Sequence, residues 1–237
     1  MKPLNEQILD LKNEAKNQRA RGLKGYARAL ARLTAAIELV EQGLDGTSVA
    51  VAIRELTKDL ADCYGMIGGV ERRWALEGEP AEEMLHLARS CAAYDEGHRH
   101  EWDPQHGTPA SYNLVNRLTG RLLIRPDLLG LDEAVDLGGE LGRLNLPQEL
   151  TKARTLINDM LANKGNFWVE ADLALLEVLM GRADASTAYA TFISLKPPGY
   201  AFSSVLDGLH PLVLKQVATK PGIQAAIELL ESRRPAS

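Results

Sequence analysis

Near the middle of the chain, histidine and carboxylate side chains occur close enough together to suggest a metal site. Imidazole nitrogens and carboxylate oxygens are both zinc ligands. The groups concerned are His98, His100, His106, Asp95, Glu101 and Asp103. In a helix, however, the first two histidines would point about 200° apart, and Pro104 interrupts the helical pattern before His106. The string HEWDPQH also differs from the HExxH zinc motif. We therefore expect a solvated helix end, with no metal and no cofactor.

Phosphate-binding and nucleophilic motifs are incomplete as well. Gly65, Gly68 and Gly69 lie inside a helical pattern, with no preceding strand and no following Lys-Ser or Lys-Thr, so we interpret them as helix-packing residues. Cys63 and Cys91 form no CxxC motif and have no recognisable histidine partner. Both are predicted to be reduced thiols in the core, where cysteine behaves as a small apolar residue.

The remaining acidic pairs do not indicate catalysis either. Glu82 with Glu83 and Asp172 with Glu177 are pairs that any solvated helix carries. No GxSxG turn is present. We predict that the protein is not an enzyme. The alternative is an enzyme or a small-ligand sensor in which polar groups converge from distant positions in a groove between helices.

The composition narrows the class of protein. The chain has 237 residues, of which 45% are hydrophobic and only 5% aromatic. Frequent Leu and Ala favour close-packed helices over a β-sandwich. The net charge of −5 is spread along the sequence, which argues against a nucleic-acid partner. No apolar signal core precedes Lys16 and no apolar run of about 18 residues occurs, so we expect a cytoplasmic protein without a membrane partner.

Apolar residues recur at steps of three and four along most of the chain, which is typical of helices. The clearest series is Ile53, Leu56, Leu60, Cys63, Ile67, Val70 and Trp74. Another is Ala134, Leu137, Leu141 and Leu144, which we also interpret as helical. Turn residues between such series predict about eleven helices and no strands. Because the connections between these helices are short, we expect successive helices to be antiparallel. We expect one domain, with capping helices at 1–46, a repeat core at 47–200 and further capping helices at 201–237.

The segment from Phe167 to Pro197 best matches a helix-pair repeat. Trp168 begins one helix, and Ala185 and Tyr189 keep the spacing of small and aromatic residues on the next. These three residues are therefore predicted to pack against one another in the core. Small residues at such positions, including Gly68 and Gly97, would let neighbouring helices approach closely.

Three segments together resemble a known family: "ADCYGMIGGVERRWA", "AYDEGHRHEWDPQHGTPASYNLVNRL" and "NFWVEADLALLEVLMGRADASTAYATF". They are similar to the tetratricopeptide region in the TRAF-binding central part of apoptosis signal-regulating kinases and in many bacterial repeat proteins. The resemblance covers residues from about Leu60 to Val217, and the chain contains no kinase sequence. It implies an all-α, right-handed α-solenoid of antiparallel helix pairs that serves as a protein-binding scaffold, with no particular partner specified.

We expect such a scaffold to hold a protein or peptide in a concave groove, as one subunit of a signalling or defence assembly. The predicted binding surface lies on the helix from Ser111 to Leu123. Asn113 and Asn116 share a helix face and could hydrogen-bond the main chain of a peptide. Arg72, Arg73 and Arg117 would add contacts to an acidic partner. The alternative is that the two asparagines bridge neighbouring helices of the protein itself.

Overall fold

The computed structural model describes residues 2–164, 166–217 and 220–235, and these residues are 77% helical. The all-α prediction is therefore confirmed. None of the described helices is long and apolar enough to cross a membrane. The chain divides into two compact units, Met1–Gly120 and Arg121–Ser237. The predicted division into caps and a repeat core stays a prediction.

Four long helices and the start of a fifth form the first unit. They are α1 (Leu4–Arg19), α2 (Leu23–Asp45), α3 (Ala50–Glu77), α4 (Glu83–Glu101) and α5 (Tyr112–Ile124). Short turns make α1 to α4 successively antiparallel, and α3 packs extensively on both α2 and α4. The apolar series predicted from Ile53 to Trp74 falls entirely within α3.

Glycines allow the close packing of α3 on α4 and α5. A Cβ atom on Gly68 would lie 2.8 Å from the ring of Tyr94. The hydroxyl of Ser90 on α4 donates a hydrogen bond of 2.8 Å to the Gly68 carbonyl. The prediction that these glycines serve helix packing is therefore confirmed. Cys63 and Cys91 are buried free thiols, as expected.

Shorter helices make up most of the second unit. They are α6 (Leu146–Lys164), α7 (Phe167–Leu179), α8 (Ala185–Ala188), α9 (Ala190–Ser194), α10 (Gly199–Leu214) and α11 (Lys220–Arg233). Two 3₁₀ helices occur at Pro126–Gly130 and Gly139–Leu141. Asn166 caps α7, because its side-chain oxygen accepts hydrogen bonds from the backbone amides of Trp168 and Val169. Tyr189 and Phe192 lie fully buried and pack edge to face.

The helix predicted from Ala134 to Leu144 is wrong, and so is the expectation of no strands. Two short strands, β1 (Val135–Asp136) and β2 (Arg143–Leu144), pair antiparallel in this segment. The physical reason is the glycines between them: Gly138, Gly139 and Gly142 have φ of 79°, 52° and 62°. These values belong to the left-handed region that glycine adopts readily and that a continuous α-helix excludes.

The predicted packing of Trp168 in the core is also wrong. Ala185 and Tyr189 are buried as expected, but Trp168 is 39% exposed. Its ring contacts Phe167 and Tyr200 instead, with centroid distances of 4.9 and 6.3 Å. Trp168 lies in the first turn of α7, directly after Phe167 and the N-cap Asn166, and a side chain at a helix end has fewer neighbouring turns to cover it.

Candidate functional site

Asn113, from the predicted binding surface, lies in the interior of the first unit. It is 1% exposed, and its amide nitrogen donates hydrogen bonds to the Ala61 carbonyl at 3.2 Å and to Oε1 of Glu101 at 2.7 Å. A Cβ atom on Gly65 or Gly97 would lie 2.7 or 2.5 Å from the Asn113 side chain. The amide therefore fits only because two glycines face it. It joins α5 to α3 and α4 and is not presented to a peptide.

Asn116, one turn later, lies at the protein surface. Its side-chain oxygen accepts a hydrogen bond of 2.7 Å from Nη1 of Arg72, and its amide nitrogen donates one of 2.8 Å to the Tyr112 carbonyl. The guanidinium of Arg72 also lies 6.0 Å from the centroid of the Tyr94 ring. This distance is within the range of a cation–π contact. The structure therefore brings Arg72 and Asn116 together across α3 and α5.

Tyr112 adds an exposed aromatic ring to this pair. Its side chain is 47% exposed, although its ring packs edge to face on Tyr94 at a centroid distance of 5.9 Å. Burial raises the pKa of Tyr94 well above its usual value, so that phenol stays neutral. We call Tyr112, Asn116 and Arg72 the Tyr112 patch. Sequence reasoning missed Tyr112 as a surface residue because it begins an otherwise apolar helix.

The other two predicted site residues point elsewhere. Arg73 lies on the side of α3 that faces α2, where its charge acts on the phenol of Tyr26. Nη1 of Arg117 lies 3.6 Å from Oδ1 of Asp95 on α4, and both side chains are about one-fifth exposed, at 20% and 19%. The five predicted residues thus do not form one surface. Asn113 lies in the interior, and whether any of the other four binds a partner stays a prediction.

A buried polar cluster at the α3–α4 junction escaped sequence reasoning. Nδ1 of His86 lies 2.5 Å from Oε2 of Glu71, and the ring of Trp74 stacks on the imidazole at 4.4 Å. The hydroxyl of Tyr26 donates a hydrogen bond of 2.5 Å to Oε2 of Glu77, and burial together with this carboxylate raises the tyrosine pKa. The only sequence signal was Glu71 at a helix position beside the apolar series.

A further polar cluster joins α1 to α3. Nζ of Lys12 lies 2.9 Å from Asp59 and 3.1 Å from Asp62, and only 11% of the lysine side chain is exposed. The two carboxylates offset the cost of burying the ammonium group, so the pKa of Lys12 is raised although burial itself lowers it. This arrangement is that of a structural ion pair, since every charged group has a partner within the cluster.

The histidines considered as metal ligands are spread over the end of α4 and the turn after it. The ring of His100 stacks on Tyr64 at 5.7 Å, and burial lowers the pKa of this histidine. Nδ1 of His106 lies 3.6 Å from Oδ1 of Asp103. Among the described residues, no group of three or more His, Cys, Asp or Glu side chains is arranged to hold a metal ion.

No family model, curated protein or solved structure matches the chain. The resemblance to tetratricopeptide proteins therefore stays a prediction from the quoted segments. The geometry offers a surface of exposed and partly exposed side chains, the Tyr112 patch, across α3 and α5, which the buried Asn113 joins through a hydrogen bond to the Ala61 carbonyl.

Proposed function

We propose that the protein is a non-catalytic scaffold that binds another protein or a peptide, built as a right-handed α-solenoid of antiparallel helix pairs of the tetratricopeptide type. The Tyr112 patch is the observation that supports this proposal best. Tyrosine and arginine are enriched among the residues that dominate protein–protein binding energy. As a scaffold, the protein would serve as one subunit of a larger signalling or defence assembly.

The hydrogen bonds that fix the Tyr112 patch in place favour a binding surface over an ordinary solvent-exposed one. Asn113 holds α5 to α3 and α4 through two buried hydrogen bonds. Arg72 and Asn116 are already hydrogen-bonded to each other, so little side-chain freedom would be lost on binding. A side-chain pair that is fixed before the partner arrives can bind more tightly than a mobile one.

The experiment compares capture of native partners by the wild-type chain and by single variants of the patch. Tyr112→Ala and Arg72→Ala should each weaken binding of the same partner at least about tenfold, as residues central to an interface do. Tyr200→Ala is the matched control, because Tyr200 is an exposed tyrosine of the second unit, at 66% exposure.

Thermal melting of every variant excludes loss of fold as the cause. Partners are identified by mass spectrometry, and their affinity is then measured with purified components. Equal capture by wild type and both patch variants would refute the proposed binding surface. Loss of capture by Tyr200→Ala alone would move the surface to the second unit.

A further inference from the structure

A cluster of positive charge lies where α1 turns into α2. Residues 15–37 contain six basic and no acidic side chains: Lys16, Arg19, Arg21, Lys24, Arg28 and Arg32. Arg32 pairs with Glu14 at 2.9 Å. The other five, which we call the basic corner, form no salt bridge among the described residues, and all but Arg19 are exposed. Lys24 even lies in the first turn of α2, where the helix dipole disfavours a cation.

A cluster of negative charge lies where α3 turns into α4. Residues 74–88 contain four acidic side chains and neither lysine nor arginine. We call these the acidic corner: Glu77, Glu79, Glu82 and Glu83. Glu77 is at the end of α3, where the helix dipole disfavours an anion. Lys24 and Glu77 thus lie at helix ends whose dipoles do not favour their charges.

The two corners lie at the same end of the first unit. The direct evidence is the 2.5 Å hydrogen bond from Tyr26, near the start of α2, to Glu77, at the end of α3. Large apolar side chains are exposed beside both turns: Leu23 at 47%, Met84 at 54% and Leu85 at 50%. This end of the helices therefore combines exposed apolar area with adjacent patches of opposite charge, which is the composition of an interface with a polar rim.

The adjacent basic and acidic corners indicate which kind of partner could bind at this end of the first unit. A nucleic acid or an anionic membrane would be attracted to the basic corner but repelled by the carboxylates next to it. A second copy of this chain, turned by a two-fold rotation, presents an acidic corner to the basic corner and a basic corner to the acidic one. We propose that two copies of this protein bind each other end to end in this way, with Leu23, Met84 and Leu85 in the contact.

The dimer should be sensitive to salt, because exposed ion pairs are individually weak and are screened. Sedimentation of the full chain should show a monomer–dimer equilibrium at low salt. Its dissociation constant should rise at least tenfold by about 1 M salt, where the Debye length is about 3 Å.

Complementary charge reversal gives the decisive test. Lys24→Glu with Arg28→Glu lowers the formal charge of the basic corner from +5 to +1, and Glu79→Lys with Glu82→Lys raises that of the acidic corner from −4 to 0. Each double variant alone should be monomeric because both of its contacts across the two-fold axis lose most of their attraction, whereas a mixed pair keeps one contact between an unchanged basic corner and an unchanged acidic corner. An equimolar mixture of the two should again form a dimer that contains one copy of each.

A matched control reverses Arg54 and Lys58 to Glu, since these exposed cations have the same spacing on α3 but lie near its start. This variant should dimerise like wild type. A monomeric wild type at low salt, dimers of either corner variant alone, or a mixture that stays monomeric would overturn the proposal. Co-sedimentation of monomeric wild type with vesicles rich in phosphatidylserine would assign the basic corner to a membrane surface instead.

Discussion

The imidazole of His86 and the carboxylate of Glu71 form a buried pair, with Nδ1 and Oε2 2.5 Å apart. Their side chains are only 5% and 7% exposed. Trp74, one turn after Glu71, covers the imidazole face. Removing one member of such a pair leaves a polar group in the interior without its partner, which costs more than the pair itself contributes.

We expect His86→Ala to lower the free energy of unfolding by about 3–5 kcal/mol, as breaking a buried pair does. Replacing both residues with leucine should cost less than the sum of His86→Leu and Glu71→Leu, because neither polar group is then left alone. Urea denaturation measures all four variants. Strictly additive costs would mean that the two side chains do not depend on each other.

Gly97→Ala should destabilise the first unit by about 1–3 kcal/mol, the usual cost of overpacking. The new methyl group would lie 2.5 Å from the Asn113 amide, which cannot retreat without breaking its buried hydrogen bonds. Gly208→Ala in α10 is the control, because nothing lies within 4 Å of its new Cβ atom. That control should stabilise the protein by about 0.5–1 kcal/mol. A stabilising Gly97→Ala would contradict the packing described.

Helix existence could be predicted from the sequence because it depends on local spacing. The series from Ile53 to Trp74 repeats every three or four residues, and α3 contains all of it. In the segment around Leu137, apolar spacing alone predicts the wrong secondary structure. Its apolar spacing fits a helix, yet three glycines with positive φ direct the backbone into a hairpin. Glycine content should have outweighed periodicity there.

The candidate site was less predictable because its contacts join residues distant in sequence. Asn116 and Arg72 are 44 residues apart, and Tyr26 and Glu77 are 51 apart. Periodicity places each residue on a face of its own helix but does not say which neighbour that face meets. For this reason Asn113 and Asn116 seemed equivalent in the sequence, whereas one is interior and the other lies at the surface.

Stability should fall as the pH rises above about 9, partly through Cys63. Burial raises the pKa of this thiol to about 11, compared with about 8.5 in an unfolded chain. Between these values the unfolded state has lost the proton and the folded state keeps it, so unfolding is favoured as pH increases. Cys63→Ala should show a shallower decline between about pH 8.5 and 9.5, where tyrosines have barely begun to titrate. Identical declines in both proteins would assign the effect to other groups.

Tyr189 and Trp168 should differ sharply in their contributions to the second unit, although both are large aromatic residues at predicted repeat positions. Tyr189 is fully buried and packs against Phe192, so Tyr189→Ala should cost about 3–5 kcal/mol. Trp168 is 39% exposed, and its ring contacts Phe167 and Tyr200. Trp168→Ala should therefore cost less than roughly half as much.

Chemical denaturation of both variants measures the difference. Trp168→Phe serves as an additional control, since it keeps an aromatic ring in the first turn of α7 and should leave stability nearly unchanged. Equal losses for Tyr189→Ala and Trp168→Ala would place Trp168 in the core, as the sequence pattern predicts, and would contradict its exposed position at the start of α7.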